Sequence, residues 1–473
     1  MYKRKVILND LYLDDYLHDS LIRLFHAFYF SNKELFLVGG CVRDLLLNKK
    51  PKDYDLCTNA TPDEVKNILD EIDIDYFDSG IKHGTLTILD KQYNKSYEIT
   101  TYRIDGKYED GRHPTEVTFT PSLEEDLKRR DFTINSFAYD FFNCELIMLN
   151  ESFIRDLEHG IIRTVGNPEK RFNEDALRML RALRFSAQLN FSIAPETYRA
   201  ILRLSIKLKY ISKERIRDEL TKILLSDNPQ VLELFAITEL ERYAFDGLTP
   251  IMDMLNCEHE NPWHYTDVFH HTMDVVKRVP KTFLLRFSAL FHDMGKPSVK
   301  CLKEGTIDHY RYIGHQDVSS EIALQLMELL KFSNVDKDLI YKFVKYHDCE
   351  LVDCKNSKFK KFLVDIGVNN FTDYMKLRVA DTSAHKLIKD TKYAIDYIDK
   401  LWKKFDKVII KNEALTVKDL KVNGYDMMNL GLKDKEIGDM LNYLLKRVLE
   451  KSNLNTREIL MQLAKEKIDK VSN

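Results

Sequence analysis

The pattern of hydrophobic and polar residues changes once along the chain. Up to about residue 150, short runs rich in Val, Ile, Thr and aromatic residues alternate with Gly, Asn and Asp, which is typical of strands and turns. Strands are predicted at 34–40, 84–90, 96–103 and 116–120. Between the first two strands, CVRDLLL and PDEVKNILDEI predict helices, the second with a capping box from Thr61 to Glu64. From about residue 168 onward, apolar residues recur at helical spacing. The fold class predicted is α+β, an α/β head with a mixed sheet followed by an all-α part.

Breaks in the helical pattern suggest further domains. Turn-forming residues at 248–265 separate one helical stretch from a second one that is rich in histidine. A chain of 473 residues also exceeds one ordinary core. The expected domains are an α/β head at 1–150, a helical neck at 151–247, a helical body at 248–405 and a helical tail at 406–473.

Composition narrows the class of protein. Hydrophobic residues make up 44% and charged residues 31% of the chain, as in globular proteins. Because the net charge is −3, any RNA binding must come from local basic patches. Seven scattered cysteines without a CxxC pair favour reduced thiols. With no signal peptide and no run of transmembrane length, we expect a cytoplasmic protein without a membrane partner. The oligomeric state stays open.

The segment LVGGCVRD carries the first candidate chemistry. It places Gly39 and Gly40 between a predicted strand and a predicted helix. Glycines there let backbone amides approach a phosphate, and the helix N-terminus adds favourable partial charge. Arg43 can add a guanidinium group for a triphosphate.

Two aspartates follow shortly afterwards. If their segment is a strand, Asp53 and Asp55 share one face and can hold divalent metals, with Mg²⁺ expected. Glu98, on a later predicted strand, is a weaker candidate. Alone, either motif is more often a turn or a pair of solvated charges. In this order, the two motifs favour nucleotidyl transfer, in which metals activate a 3′-hydroxyl and stabilise the leaving pyrophosphate.

The order of these motifs resembles class II nucleotidyltransferases, the family of bacterial CCA-adding enzymes and poly(A) polymerases. The matching segments are GGxxRD, DxD, LKRRDFTINSFAYD (127–140), IIRTVGNPEKRFNEDALRMLRALRF (161–185), ISKERIRDEL (211–220) and the C-terminal LTVKDLKVNGYDMMNLGLKDKEIGDMLNYLL. The resemblance implies ribose contacts from Arg130 and Asp131. Asn167 stands where the family usually has Asp, which affects the expected hinge contacts.

The EDxxR element of the 161–185 segment consists of Glu174, Asp175 and Arg178. Asp175 and Arg178 are three residues apart on a predicted helix, so they share a face and can pair with the edge of a base. The resemblance implies selection of CTP and ATP. An intrahelical salt bridge is the alternative for an isolated pair of this kind. Arg181 and Arg184 are further nucleotide-binding candidates or salt-bridge partners of the two acids.

Residues 105–119 resemble the family's flexible loop, which is needed for the switch from CTP to ATP. Asp110, Gly111 and Arg112 lie inside it. The loop favours completion through the terminal A, although its composition is also that of a mobile hairpin.

The histidine-rich body follows the H…HD…D order of HD-type phosphohydrolases. The candidate ligands are His271, His292, Asp293 and Asp381, with His315 and His347 as additional candidates. Imidazole with carboxylate suits Ni, Mn or Co, and Lys296 could bind a phosphate. Family members with such a module hydrolyse 2′,3′-cyclic phosphates, which is what the resemblance implies here. The alternative is a decayed module that docks tRNA.

The neck carries the strongest local basic charge. Residues 168–223 hold 13 Lys or Arg against seven Asp or Glu. Arg199, Arg203 and Lys207 recur along predicted helices and could follow the phosphates of a tRNA acceptor stem. A solvated helix face is the alternative.

The function predicted is template-independent addition of C, C and A to tRNA lacking all or part of that end, from CTP and ATP. One alternative is a poly(A) polymerase or an A-only relative. An alternative of another class is an HD phosphohydrolase with a relic head.

Overall fold

The computed structural model describes residues 1–8, 15–92, 94–106, 117–259, 266–306, 310–385, 388–411 and 414–472. The chain forms two compact units, Met1–Thr249 and Pro250–Asn473. The first contains a large sheet and the second is almost entirely helical, which confirms the α+β class. The finer division into four domains stays a prediction.

An eight-stranded sheet organises the first unit. Its strands and those of two small pairs are β1 (Tyr2–Lys5), β2 (Leu35–Val38), β3 (Asp55–Thr58), β4 (Asp75–Gly80), β5 (Thr85–Asp90), β6 (Lys95–Thr101), β7 (Arg103–Asp105), β8 (Val117–Phe119), β9 (Phe137–Asp140), β10 (Glu145–Met148), β11 (Ile161–Ile162) and β12 (Ser192–Ile193). The order in the sheet is β1-β10-β9-β2-β3-β6-β5-β4. Neighbours are antiparallel except β3 and β6, which run parallel.

The helices of this unit are α1 (Asp15–Phe30), α2 (Gly40–Leu46), α3 (Pro62–Glu71), α4 (Leu123–Lys128), α5 (Ser152–Glu158), α6 (Pro168–Glu174), α7 (Leu177–Leu189), α8 (Pro195–Leu204), α9 (Lys213–Leu224), α10 (Leu232–Ile237) and α11 (Leu240–Ala244). The two helices predicted in the head are α2 and α3. The capping box of α3 is also confirmed: Thr61 N donates to Glu64 Oε2 (2.9 Å) and Glu64 N donates to Thr61 Oγ1 (3.4 Å).

Four strands of the eight-stranded sheet were missing from the prediction: β1, β4, β9 and β10. β1 (YKRK) is an edge strand whose four residues are all exposed, so its sequence has no apolar alternation. β9 and β10 are buried in the middle of the sheet, and their short apolar runs carry no strand periodicity. Tertiary contacts, which the local pattern does not contain, decide these elements.

The core of the head determines where the candidate site lies. Leu123 and Leu127 of α4 are buried in a cluster with Phe36 and Val38 of β2 and Cys57 of β3. Burying such side chains contributes about 1.5–3 kcal/mol each. Because α4 is held against the sheet in this way, the residues that follow it lie beside the ends of β2 and β3.

The second unit is a helical assembly. Its elements are α12 (Pro250–Leu255), α13 (Val268–Arg278), α14 (Phe283–Phe291), α15 (Lys296–Val299), β13 (Cys301–Leu302), β14 (Tyr310–Arg311), α16 (His315–Leu329), α17 (Asn334–Tyr346), α18 (Asn356–Ile366), α19 (Phe371–Ser383), α20 (Ile388–Ile410), α21 (Gly424–Met428), α22 (Lys435–Glu450) and α23 (Arg457–Ser472). The apolar helix α14 contacts α13, α16, α17 and α19. A helix that is apolar on nearly all sides needs such enclosure.

All seven cysteines lie within the described residues, and none of them forms a disulfide bond. Within the same residues, no helix combines the length and the apolar character that crossing a membrane requires.

Candidate active site

Gly39 forms the turn between β2 and α2. Its φ of 80° and ψ of −132° suit glycine, and a Cβ there would lie 3.0 Å from Nη1 of Arg130. The Gly39 amide donates to the Phe137 carbonyl (3.1 Å). The protein itself therefore engages this amide, and phosphate binding by Gly39 stays a prediction. Gly39 serves the turn and the close approach of Arg130.

A group of carboxylates lies at the start of β3. Asp55 is the first residue of β3 and pairs in register with Glu98 on β6, whereas Asp53 lies in the bend before the strand. The prediction that both aspartates share a strand face is therefore wrong. Burial raises the pKa of Asp55, and the charges of Glu98 and Asp53 add to the increase while Arg130 opposes it. Carboxylates that repel one another in this way fit a bound cation. Glu98 belongs to this group more closely than its sequence suggested.

Asp131 joins the head to α7. Its Oδ1 accepts hydrogen bonds from the Phe132 amide (2.8 Å) and from Asn135 Nδ2 (3.2 Å), and its Oδ2 accepts one from Arg181 Nε (2.8 Å). Burial alone would raise the pKa of Asp131, but Arg181 outweighs this effect and holds the pKa well below its usual range. With both oxygens engaged, Asp131 positions Arg181, and the predicted direct contact with a ribose would have to displace one of these bonds.

Two more arginines of the head are fixed by buried partners. Arg43 donates to Asn135 Oδ1 (2.7 Å) and to Asp44 Oδ1 (2.7 Å). Arg130 donates to Oδ2 of Asp126, a residue that is fully buried (3.1 Å). Both guanidinium groups are thus held in place without a ligand.

The EDxxR element is not part of one helix. Asp175 has extended backbone (φ −142°, ψ 109°) and ends α6, and α7 begins two residues later. Asp175 Oδ2 accepts a hydrogen bond from Arg215 Nη2 (2.9 Å). Arg178 donates to Glu174 Oε2 (2.6 Å) and to the Arg129 carbonyl (3.3 Å). The predicted common helix face is therefore wrong, and separate partners hold the two side chains.

Arg181 and Arg184 do not pair with the acids of the EDxxR element. Arg184 Nη1 donates to Oε1 of the buried Glu219 on α9 (3.0 Å). Burial lowers the pKa of Arg184 to about 10, and the charge of Arg181 contributes to this effect. The concentration of positive charge suits an anionic ligand.

These residues surround one cavity of about 470 Å³. Ten predicted site residues line it: Gly39, Gly40, Arg43, Asp55, Arg130, Asp131, Asp175, Arg178, Arg181 and Arg184. Five residues that the sequence did not single out also line it: Arg129, Asn135, Leu177, Phe185 and Arg215. All five lie inside the motif segments. The segments therefore predicted which parts of the chain line the cavity, but not every residue that does so.

A second cavity of about 850 Å³ shares Arg129 with the first and includes Glu174. Its wall also contains Asp105 and Gly106, at the end of β7. β7 and β8 pair and flank the predicted flexible loop. Asp110, Gly111 and Arg112 lie outside the described residues.

The departure at Asn167 has a structural explanation. Its side-chain oxygen accepts a hydrogen bond from the Lys170 amide (3.0 Å) and caps α6. Asn and Asp are about equally good at this position, so the cap is retained.

The basic residues proposed for RNA lie on the surface. Arg199 and Arg203 are exposed on α8, and Lys207 is half-buried in a 3₁₀ turn at Ser205–Tyr210. Arg203 forms an ion pair with Glu169 (2.7 Å). Arg199 and Arg203 border one surface cavity, and RNA binding by the three residues stays a prediction.

In the second unit, six predicted ligands converge. They come from α13, the turn after α14, the start of α16, the end of α17 and α19: His271, His292, Asp293, His315, His347 and Asp381. All six are buried. Two groups within this cluster are compact enough to hold an ion. One consists of His271, His292 and Asp381, and the other of His292, Asp293 and His347.

Asp293 lies between two pairs of histidines. Its Oδ2 is 3.1 Å from His292 Nε2 and 3.6 Å from His271 Nε2. Its Oδ1 is 3.5 Å from His315 Nε2 and 3.6 Å from His347 Nε2. Ligands that are each about 2.1 Å from one ion are about 3.0–3.4 Å from each other, so these separations fit a metal.

The histidines are oriented toward the centre of the cluster. Nδ1 of His292, His315 and His347 each lies 2.7 Å from a backbone carbonyl three residues earlier. A ring that donates Nδ1–H in this way presents the lone pair of Nε2 to the cluster, as metal-binding histidines do. Burial and the neighbouring His347 lower the pKa of His315 to about 4, which keeps the ring neutral as a ligand must be.

Two further side chains complete this region. Lys296 Nζ lies 2.7 Å from Asp293 Oδ2 and 3.3 Å from Nε2 of His259, a residue that sequence reasoning missed. Gly295 allows the close approach of α16, because a Cβ there would lie 2.6 Å from the His315 carbonyl.

Comparisons with known proteins agree with the fold. The family described as "Poly A polymerase head domain" matches residues 35–163, and "Probable RNA and SrmB- binding site of polymerase A" matches residues 190–252. Together with the carboxylates and arginines of the cavity, these matches define a nucleotidyltransferase with a polymerase-type head.

Relatives that match nearly the whole chain show which kind of nucleotidyltransferase it resembles. The CCA-adding enzyme of Ligilactobacillus salivarius is 34% identical over 92% of this chain and 93% of its own length. The solved structure of the Bacillus stearothermophilus CCA-adding enzyme in complex with CTP has a TM-score of 0.67 at 26% identity, covering 97% of this chain and 99% of that one. The Thermotoga maritima CCA-adding enzyme complexed with tRNA shares the fold (TM-score 0.53, 19% identity, 99% and 100% covered). The chain belongs to the family of CCA-adding enzymes.

The Gly39 turn gives a matched pair of variants. A Cβ at Gly39 meets Arg130 at 3.0 Å on a backbone of positive φ, whereas a Cβ at Gly40 is 3.7 Å from Arg43, an ordinary contact. We expect Gly39→Ala to weaken CTP binding much more than Gly40→Ala, by about tenfold or more. Titration calorimetry with CTP measures both, and equal losses would contradict the role of the turn.

The Asp131–Arg181 pair predicts a pH-dependent stability. Since the folded pKa of Asp131 lies below the unfolded value of about 3.9, its contribution is complete above that pH and is lost as the pH falls through the folded pKa. We expect Asp131→Asn to lower the opening free energy of α7 by about 3 kcal/mol at pH 7, and by less below about pH 4. Native-state hydrogen exchange of the α7 amides measures this, with the exposed Asp218→Asn as control. A difference that is independent of pH would contradict the assignment.

Proposed function

We propose that this protein adds C, C and A in turn to the 3′ end of tRNA, using CTP and ATP without a nucleic-acid template. The observation that carries the proposal is that one cavity contains both Asp55, beside two other carboxylates, and the Asp175–Arg178 element. Its substrates would be tRNAs that lack all or part of the CCA end. Membership of the CCA-adding family over 92% of the chain supports the same activity.

The carboxylates and the arginines of the cavity would have different roles in nucleotide addition. Asp53 and Asp55, with Glu98 beside them, are of the ligand type that Mg²⁺ prefers. A divalent ion held by these carboxylates would lower the cost of ionising the 3′-hydroxyl and of releasing pyrophosphate. Arg43, Arg181 and Arg184 would bind the triphosphate, so that the 3′-oxygen of tRNA attacks the α-phosphorus and pyrophosphate leaves.

Asp175 and Arg178 would read the base. An acceptor carboxylate and a donor guanidinium offer complementary hydrogen bonds to the edges of cytosine and adenine. Arg215 and Glu174 hold these two side chains before any nucleotide arrives. A reading edge that is fixed in advance replaces the template base at little entropic cost.

The alternatives are less well supported. A poly(A) polymerase shares the head, but the relatives that cover nearly the whole chain are CCA-adding enzymes. The 105–119 segment resembles the loop that CC-only relatives are expected to lack, so it favours completion through the terminal A. A relic head would not need to keep its carboxylates and arginines around one cavity. Free thiols fit the cytoplasmic location that we propose.

Substitution of the carboxylates tests the proposal. We expect Asp53→Asn and Asp55→Asn each to reduce incorporation of labelled CMP into tRNA lacking CCA, with Mg²⁺, by about a hundredfold or more. Asp75→Asn is the matched control, because Asp75 is a surface aspartate on β4 that pairs with Lys91. Incorporation near the wild-type rate in both variants would exclude these residues as the catalytic carboxylates.

We also propose a second, HD-type phosphohydrolase activity. The observation that favours it is the buried cluster around Asp293. Its imidazole-rich ligands favour Ni²⁺, Mn²⁺ or Co²⁺ over Mg²⁺, and a divalent ion there would activate water against a phosphoester. In the absence of such an ion, Nε2 of His292 and both oxygens of Asp293 have no hydrogen bond of proper geometry among the described residues, although Lys296 lies close. 2′,3′-Cyclic phosphates at tRNA ends are the substrate that we would test first.

Metal content tests the second site directly. We expect His292→Ala with Asp293→Ala to lose bound transition metal and cyclic-phosphate hydrolysis while CMP addition with Mg²⁺ continues. His270→Ala is the matched control, because this exposed neighbour of His271 pairs with Asp267 outside the cluster. Elemental analysis and hydrolysis assays across Ni²⁺, Mn²⁺, Co²⁺ and Mg²⁺ measure the outcome. If the wild-type protein contains no metal and hydrolyses none of these substrates, the second site is not a phosphohydrolase, and the alternative of a decayed module that docks tRNA is favoured.

A further inference from the structure

The ring of Phe185 lies among three arginines of the nucleotide cavity. The Cζ atoms of Arg184, Arg43 and Arg181 are 4.4, 5.3 and 5.5 Å from the centre of the ring. Phe185 is buried, and its ring forms part of the same cavity wall as the three guanidinium groups. The ring is therefore a common neighbour of three of the arginines that line the cavity.

These three cations come from two parts of the first unit. Arg43 is on α2 in the head, and Arg181 and Arg184 are on α7, as is Phe185 itself. Each guanidinium is held from its other side by a different residue. Arg43 donates to Asn135, Arg181 donates to Asp131, and Arg184 donates to Glu219.

An aromatic ring is well suited to this position. Three guanidinium groups within 5.5 Å of one ring centre repel one another, and the negative face of an aromatic ring attracts cations. An aliphatic side chain of similar size would fill the space without that attraction. Phe132 supports the ring edge-on, with centroids 5.7 Å apart and an interplanar angle of 80°.

We propose that Phe185 is a positioning residue for the triphosphate: its ring holds Arg43, Arg181 and Arg184 as one cationic surface that binds the β- and γ-phosphates of the incoming nucleotide. The inference rests on the proposed function, because it takes a nucleoside triphosphate as the ligand of this cavity. It predicts that losing the ring affects phosphate binding far more than base or ribose binding.

Binding of CTP and CMP to three variants of the full chain tests the proposal. Phe185→Leu removes the ring, Phe185→Tyr keeps it, and Phe235→Leu removes a fully buried ring elsewhere in the same unit. With Mg²⁺ present, we expect Phe185→Leu to raise the Kd for CTP about tenfold and that for CMP less than twofold. The Tyr variant should bind CTP within about twofold of wild type, and Phe235→Leu should leave both constants unchanged.

Three outcomes would overturn the proposal. They are unchanged CTP binding by Phe185→Leu, equal losses for CTP and CMP, which indicate general packing, and a Tyr variant as weak as the Leu variant. If Phe185→Leu also lowers the stability of the protein, the test remains valid, because CTP and CMP binding are compared within the same variant. Failure of the proposed function would show separately, as a wild-type protein that binds CTP in this pattern but does not extend tRNA.

Discussion

The ion pair between the buried Asp131 and the half-buried Arg181 determines the geometry of the nucleotide cavity on the side of α7. Asp131 belongs to the head, and Arg181 belongs to α7, so their contact sets the position of that helix against the sheet. Separating the pair would leave a charge buried without a partner, which typically costs about 3–5 kcal/mol. Both oxygens of Asp131 are engaged, so the side chain has little freedom.

The residues on the α7 side of the site depend on this junction. With α7 fixed, Arg184 and Phe185 lie in the wall that Arg43 reaches from α2, and Arg178 lies beside the carbonyl of Arg129. Asp55 lines the same cavity from the start of β3. This contact thus places the α7 arginines and the base-reading element around the same space as Asp55 and Arg43, which the head holds by itself.

The sequence predicted the fold class and most of the cavity, and the limits of that prediction are physical. Arg43, Asp131 and Arg178 could be identified because each lies in a segment that resembles a family motif, and the segments follow one another in the family's order. The motif order did not predict that Asp175 leaves the helix, because the apolar residues of EDALRML keep helical spacing and Arg215, which contacts the Asp175 side chain, is distant in the sequence. Glu98 was undervalued for the same reason, since only the parallel pairing of β3 with β6 places it beside Asp55.

The central claim is that this one cavity selects nucleotides in the order C, C, A without a template. The most direct measurement gives the wild-type protein a tRNA that lacks its last three nucleotides, with all four nucleoside triphosphates at equal concentration and Mg²⁺, and reads the products at nucleotide resolution. The account predicts addition of C, C and A, followed by a stop. Runs of adenosine, addition of U or G in place of C, or no extension at all would contradict it.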